Sequence, residues 1–129
     1  MTSKTYASKK ELDAEIDRLL AAHAEYVAAQ ARLFPAETII AAVAVAHGML
    51  VSDLRSVKRD HRTSYARHHA VWELRRRRLD LRMQDIADLL DREHHTTIVH
   101  SYQQFCKAVS HGQFVAERKR VKQTLEGDK

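Results

Sequence analysis

The N-terminal part of the chain alternates apolar and polar positions with the period of an α-helix. Ser8 and Glu11 have the spacing of a capping box, and Pro35 disfavours helical geometry at the residue before it. The pattern therefore predicts one long amphipathic helix over Lys9–Leu33. Its apolar stripe consists of Leu12, Ile16, Leu19, Leu20, His23, Tyr26, Val27 and Leu33. We expect the stripe to pack on the rest of the domain, with a two-helix coiled coil or contact with another protein as the alternatives.

The middle of the chain predicts two more helices separated by a basic segment. An apolar run predicts a helix over Pro35–His47, and Gly48 stands where a left-handed residue ends a helix. A short helical turn follows at Ser52–Arg55. Residues 57–64 carry basic side chains and almost nothing apolar, which is typical of an exposed loop. Apolar residues at helical spacing return over Tyr65–Leu79 and predict the third long helix.

The segment Met83–Ser101 is typical of a helix-turn-helix, because two short amphipathic stretches flank a polar turn. The second stretch opens with four side chains that can form hydrogen bonds: His94, His95, Thr96 and Thr97. The apolar pair Ile98–Val99 follows them. A helix with a buried middle and small polar groups at its N-terminus suits insertion into a DNA major groove. We expect this helix to end at Gly112, with a basic helix over Phe114–Leu125 after it.

Composition favours an all-α fold. With one proline, three glycines and 30% charged residues among 129, the chain suits helices better than a sheet or a disordered tail. We predict a multi-helix domain containing the helix-turn-helix, preceded by the long amphipathic helix. The expected organisation is an N-terminal amphipathic helix at 1–34, a DNA-binding domain at 35–112 and a basic C-terminal helix or tail at 113–129.

Several other classes of function are disfavoured. The longest apolar run, Ile39–Ala46, is eight residues, too short to cross a membrane, and the polar N-terminus has no signal-peptide pattern. Cys106 is the only cysteine, so we expect no disulfide and a cytoplasmic location, associated with the nucleoid. Among nine histidines, His95 and His100 are five residues apart, which is poor geometry for sharing a metal ion. We expect no catalytic site, no metal and no cofactor.

The positive charge is concentrated in one segment. The whole chain has a formal net charge of +5, yet residues 55–82 hold ten basic and three acidic side chains. This segment lies next to the predicted helix-turn-helix and includes Arg75–Arg78. Clustered cations neutralise phosphates and release counterions, so the segment favours double-stranded DNA as the partner. The alternative is a solvated arginine-rich face.

The order of several short motifs resembles the C-terminal DNA-binding domain (domain IV) of DnaA, the bacterial replication initiator, a Trp repressor-like helical fold. That family has a Val-Ser-x-x-Asp-Leu-Arg-Ser turn, a basic loop that ends in Ala-Arg, a long helix, and then Leu-Pro-Glu-Ile-Gly and Asp-His-Thr-Thr-Val-x-His. The corresponding segments here, in order, are Leu50–Ser56, Lys58-Arg59, Ala66-Arg67, Met83–Ala87 and His94–His100. The resemblance covers about residues 36–110 and is specific as a combination.

The resemblance implies three sets of DNA contacts. Lys58, Arg59 and Arg62 would read the minor groove. The major-groove contacts would come from His94, His95, Thr96 and Thr97. Phosphate contacts would come from Arg67, from Gln84 and from the backbone near Met83.

Departures from the family pattern point to an altered role. His94 stands where the family has aspartate, Asp91-Arg92 replaces a glycine-containing turn, and His68 replaces a proline. No Walker loop is present, so we expect a standalone relative without the ATPase module, which regulates replication initiation or transcription. The rival interpretation is a protein-interaction module that acts on the initiator or its regulators through the Leu12–Leu33 stripe. A homodimer through the same helix is a further expectation.

Overall fold

The computed structural model describes residues 8–127 and shows seven α-helices and no strand in that range. The all-α prediction is confirmed. Residues 1–7 of the predicted N-terminal segment and 128–129 of the predicted tail lie outside the described range. The helices are α1 (Lys9–Leu33), α2 (Ala36–Ala46), α3 (Val51–Leu54), α4 (His61–Arg77), α5 (Met83–Leu89), α6 (His95–Ser110) and α7 (Val115–Glu126).

Helix α4 lies at the centre of the fold. It packs against α6 on one side and α2 on another, while α7 covers α2 and α5 packs against α6. The interface is built from small and branched side chains that are fully buried, among them Ile40, Val43, Ala70 and Leu74. Burial of this apolar surface is the main stabilising contribution, and it fixes α5 and α6 relative to the core.

Helix α1 has the predicted bounds, but its stripe does not pack on the domain. The Ser8 side chain accepts a hydrogen bond from the Glu11 amide at 3.2 Å, which confirms the predicted N-cap. Leu19 and Leu20, in contrast, are 54% and 62% exposed. Only the C-terminal turns, around the buried Gln30, lie against the body of the fold. The expectation of intramolecular packing was wrong, because the helix projects beyond the surface that could cover it.

Helix α4 begins earlier than predicted. It starts at His61 instead of Tyr65, and Asp60 is its N-cap. The Asp60 carboxylate accepts hydrogen bonds from the Thr63 amide at 3.1 Å and the Thr63 hydroxyl at 3.0 Å. The basic loop is therefore residues 55–60, and Arg62 belongs to the first turn of a helix.

A chain of buried polar groups crosses the core. His47 and His69 are joined by a 2.8 Å hydrogen bond, and the other ring nitrogen of His69 contacts Glu73 at 3.0 Å. Arg77 donates to Glu73 at 2.9 Å and to Glu126 of α7 at 2.8 Å. Burial raises the pKa of Glu73, but the bonds from His69 and Arg77 outweigh it and hold that pKa below its ordinary value. The network links α2, α4 and α7 through groups that satisfy one another.

No single helix within residues 8–127 is both long and apolar enough to cross a bilayer. Helices α1 and α2 pass such a test only when taken together across the 55° bend between them.

Candidate nucleic-acid interface

The four polar side chains that open α6 are all exposed. His94 is the N-cap, with extended backbone at φ −122° and ψ 137°, and the helix begins at His95. Thr96 and Thr97 lie in its first turn, and the next residue, Ile98, is only 1% exposed. No side chain caps this helix and no acidic residue lies in its first turn. The N-terminus of α6 is thus an uncovered polar surface that favours negative charge.

Helix α5 holds α6 in place through a buried seam. Ile86, Ala87, Leu90 and Ile98 are buried where the two helices meet. Asp91 has left-handed backbone geometry at φ 54°, which reverses the chain between the helices. The seam sets the angle at which the start of α6 leaves the surface.

The basic loop, residues 55–60, lies beside the turn between α5 and α6. Arg55 donates to the Leu89 carbonyl at the end of α5, at 2.8 Å. Lys58 and Arg59 are both exposed on this loop, and Lys58 pairs with Asp53 at 3.1 Å. The fold therefore brings an exposed cationic loop to the same region as the helix-turn-helix.

Two of the predicted DNA contacts, Arg67 and Arg62, have guanidinium groups that donate to backbone carbonyls of the protein itself. Arg67 is 7% exposed, and it donates to the carbonyls of Leu54 at 2.9 Å, Ser56 at 3.0 Å and Lys58 at 3.2 Å. Those donors are occupied by the base of the loop instead of being open to a phosphate. Burial, with a contribution from the charge of Arg92, lowers the pKa of Arg67 to about 10, so the group stays charged at neutral pH.

The Arg62 guanidinium faces the end of α2. It donates to the His47 carbonyl at 2.7 Å and contacts the Gly48 carbonyl at 3.4 Å. This position corrects the expectation that Arg62 extends from the basic loop with Lys58 and Arg59.

The two predicted phosphate ligands of α5 are half-buried. Gln84 donates to Asp88 at 3.0 Å and contacts the Glu93 carbonyl at 3.4 Å, so it bridges α5 and the turn. Met83, the first residue of α5, packs against the core.

The arginine run that ends α4 is engaged within the protein. Arg76 lies 4.2 Å from the centre of the Trp72 ring, and Arg77 pairs with two glutamates. Arg78 pairs with Asp80 at 2.8 Å. The run therefore contributes less available charge than the sequence indicates, because neighbouring side chains and Glu126 of α7 partner its arginines.

Sequence reasoning missed Arg92, which lies in the helix-turn-helix turn and reaches the basic loop. It donates to the Ser56 carbonyl and contacts the Leu54 carbonyl at 3.5 Å. The one feature of the sequence that could have pointed to Arg92 is its position in the turn, where the family pattern has a glycine. Within residues 8–127, no three histidine, cysteine or acidic side chains are grouped so that they could hold a metal ion.

The fold and this surface define a helix-turn-helix protein. The family model described as "Bacterial dnaA protein helix-turn-helix" matches residues 36–104, which is 69 of the 129 residues. The chain belongs to this family, whose domain is a DNA-binding module and not a catalytic one. No curated protein and no solved structure matches the chain.

Proposed function

We propose that this protein binds double-stranded DNA sequence-specifically, with the N-terminus of α6 in the major groove and the basic loop in the adjacent minor groove. The observation that carries the proposal is the exposure of His94–Thr97 directly before the buried Ile98. A polar helix end held by a buried seam can enter a groove without disturbing the core.

The proposed base readout comes from the first turn of α6. The methyl group of Thr97 suits contact with a thymine methyl, and His95 suits a hydrogen bond to a base edge. His94 can donate as well as accept, whereas the aspartate of the family pattern only accepts, so we expect a sequence preference different from that of the family. Thr96 completes the exposed polar set.

The proposed minor-groove and backbone contacts come from two neighbouring elements. Lys58 and Arg59 are exposed on the loop and suit the negative potential of a narrow A·T-rich groove. The backbone at Met83 suits a phosphate contact that fixes the register, and Gln84 would make one by exchanging its bonds to Asp88 and the Glu93 carbonyl for a phosphate oxygen. Arg67 acts indirectly, because its hydrogen bonds hold the loop from inside the fold.

The proposed biological role is regulation of replication initiation or transcription by occupation of DNA sites. Its location would then be the bacterial or phage-infected cytoplasm, in association with the nucleoid.

The test is selection of duplexes from a random library, followed by fluorescence anisotropy at several salt concentrations. We expect the logarithm of the binding constant to fall with the logarithm of salt concentration, with a slope of about −0.9 per phosphate contact. Thr97→Ala should reduce discrimination between the selected and a scrambled duplex by about 1 kcal/mol, which is the order of one buried methyl group. Thr124→Ala, an exposed threonine on α7, is the matched control and should change nothing. If no duplex is enriched, the proposal is wrong.

The exposed stripe of α1 supports a second function, self-association through this helix. From Leu12 to Tyr26, before the turns that lie against the fold, the inward positions of a heptad alternate in steps of four and three residues: 12, 16, 19, 23 and 26. That spacing suits pairing with a helix of the same spacing, which a second copy of α1 supplies. Leu19, 54% exposed, lies in the middle of the series.

Sedimentation velocity over a range of protein concentrations tests self-association. The unchanged chain should dimerise, whereas Leu19→Asp should stay monomeric with its helix content intact. Ala21→Asp, on the opposite face of α1, is the control and should still dimerise. A monomer at every concentration would exclude the second copy and leave a different regulatory protein as the partner of the stripe.

A further inference from the structure

Hydrogen bonds join the basic loop to the helix-turn-helix, and each of the two elements supplies an arginine donor. Arg55 extends from the loop to the Leu89 carbonyl of α5. Arg92 extends from the turn to the Ser56 carbonyl of the loop and contacts the carbonyl of Leu54. The bonds to Leu89 and Ser56 join the basic loop directly to the helix-turn-helix, and the contact with Leu54, the last residue of α3, lies beside them.

The backbone of Arg92 is itself fixed. Its amide donates to the Ala87 carbonyl of α5 at 2.8 Å, next to the left-handed Asp91. The residue is therefore anchored to α5 by its backbone and to the loop by its side chain. A shift of the loop relative to the turn would break at least one of these bonds.

Arg67 and Arg92 donate to the same carbonyl, that of Ser56. Both guanidinium groups are bonded to backbone carbonyls, and the nearby carboxylates of Asp60 and Asp91 offset only part of the burial cost of Arg67 and Arg92, respectively. Burial lowers the pKa of both groups, which reflects the cost of keeping them charged there. The two arginines are thus held at an energetic cost in an arrangement that fixes the backbone of the loop at Ser56.

We propose that Arg92 is a positioning residue that holds the basic loop at a fixed distance from the start of α6, so that minor-groove and major-groove contacts are made together. This inference rests on the DNA binding proposed above. A guanidinium fork can serve two carbonyls at once, whereas a lysine ammonium keeps the charge but not that geometry.

The test is a double-mutant cycle with Arg59, measured by fluorescence anisotropy on the duplex selected by the unchanged protein. Arg92→Ala should weaken binding about tenfold, and the same change in an Arg59→Ala background should weaken it less than about twofold, because no minor-groove contact remains to be positioned. Arg92→Lys should not restore binding. Arg32→Ala, an exposed arginine on α1, is the control for loss of one charge.

Two results would overturn the proposal: equal effects of Arg92→Ala in both backgrounds, or full rescue by Arg92→Lys. Either would make Arg92 a simple source of charge. Hydrogen exchange in the DNA-free protein gives an independent readout. The Lys58 amide, which donates to the Ser56 hydroxyl at 3.3 Å, should exchange faster in Arg92→Ala while core amides of α4 keep their protection, and unchanged exchange of the Lys58 amide would contradict the positioning role. The function itself fails differently, since the unchanged protein would then enrich no duplex.

Discussion

Replacing Arg67 with alanine should lower the free energy of unfolding by about 2–3 kcal/mol. The side chain makes three hydrogen bonds of 2.9–3.2 Å, one to the carbonyl of Leu54 at the end of α3 and two to the loop carbonyls of Ser56 and Lys58. Each hydrogen bond of a charged group contributes roughly 1.5–3 kcal/mol, so three independent bonds would contribute more than 4 kcal/mol. The expected loss is smaller because Arg92 still donates to Ser56 and because removing one cation relieves its repulsion with the other.

Urea denaturation followed by far-UV circular dichroism at pH 7 measures this loss. Arg67→Lys keeps the charge but cannot reach three carbonyls, so it should fall between the unchanged chain and the alanine variant. Arg76, exposed over the Trp72 ring, provides the control, and Arg76→Ala should cost less than about 1 kcal/mol. If Arg67→Ala costs no more than this control, the hydrogen bonds do not hold the loop and the reasoning fails.

Three further predictions concern the core and the caps. Burial, together with neighbouring positive charge, lowers the pKa of His47 and of His68 to about 4 in the folded protein. The unfolded chain therefore takes up protons first as pH falls below about 6.5, so the free energy of unfolding is largest above that pH and falls by roughly 2 kcal/mol per histidine down to about pH 4. Thermal melts at pH 7 and 4.5 measure the fall, and an unchanged melting temperature would contradict it. Ile98→Ala should cost about 2–4 kcal/mol in urea denaturation by leaving a cavity between α5 and α6, and a loss below 1 kcal/mol would mean that the seam is not tightly packed. Asp60→Ala removes the N-cap of α4 and should lower the urea midpoint, with Asp60→Asn retaining most of the stability; equal losses in both variants would argue against the cap.

Short sequence motifs predicted the structure correctly where neighbouring residues alone determine the backbone conformation. Ser8 and Pro35 predicted both ends of α1, because a cap and a proline act on adjacent backbone. The four polar residues before Ile98 predicted an exposed start of α6, because the change from polar to apolar side chains occurs within one helical turn. The start of α4 was missed because residues 61–64 carry no apolar pattern, although Asp60 supplied the cap.

Long-range partners were beyond the reach of the sequence. The run Arg75–Arg78 looks like a binding patch, but Glu126, far along the chain, pairs with Arg77. Arg67 matches a motif position, yet only the fold shows that its donors face the loop from inside. The stripe of α1 has the same periodicity whether its partner is the domain or another helix, and its packing was therefore predicted wrongly.

DNA contact by α6 and the basic loop can be mapped by recording backbone amide chemical shifts while the selected duplex is titrated into the protein. We expect the largest changes in residues 94–97 at the start of α6 and in residues 57–60 of the basic loop, with α7 unaffected. Changes confined to α1 or α7, with both proposed contact segments unperturbed, would contradict the proposed DNA contact.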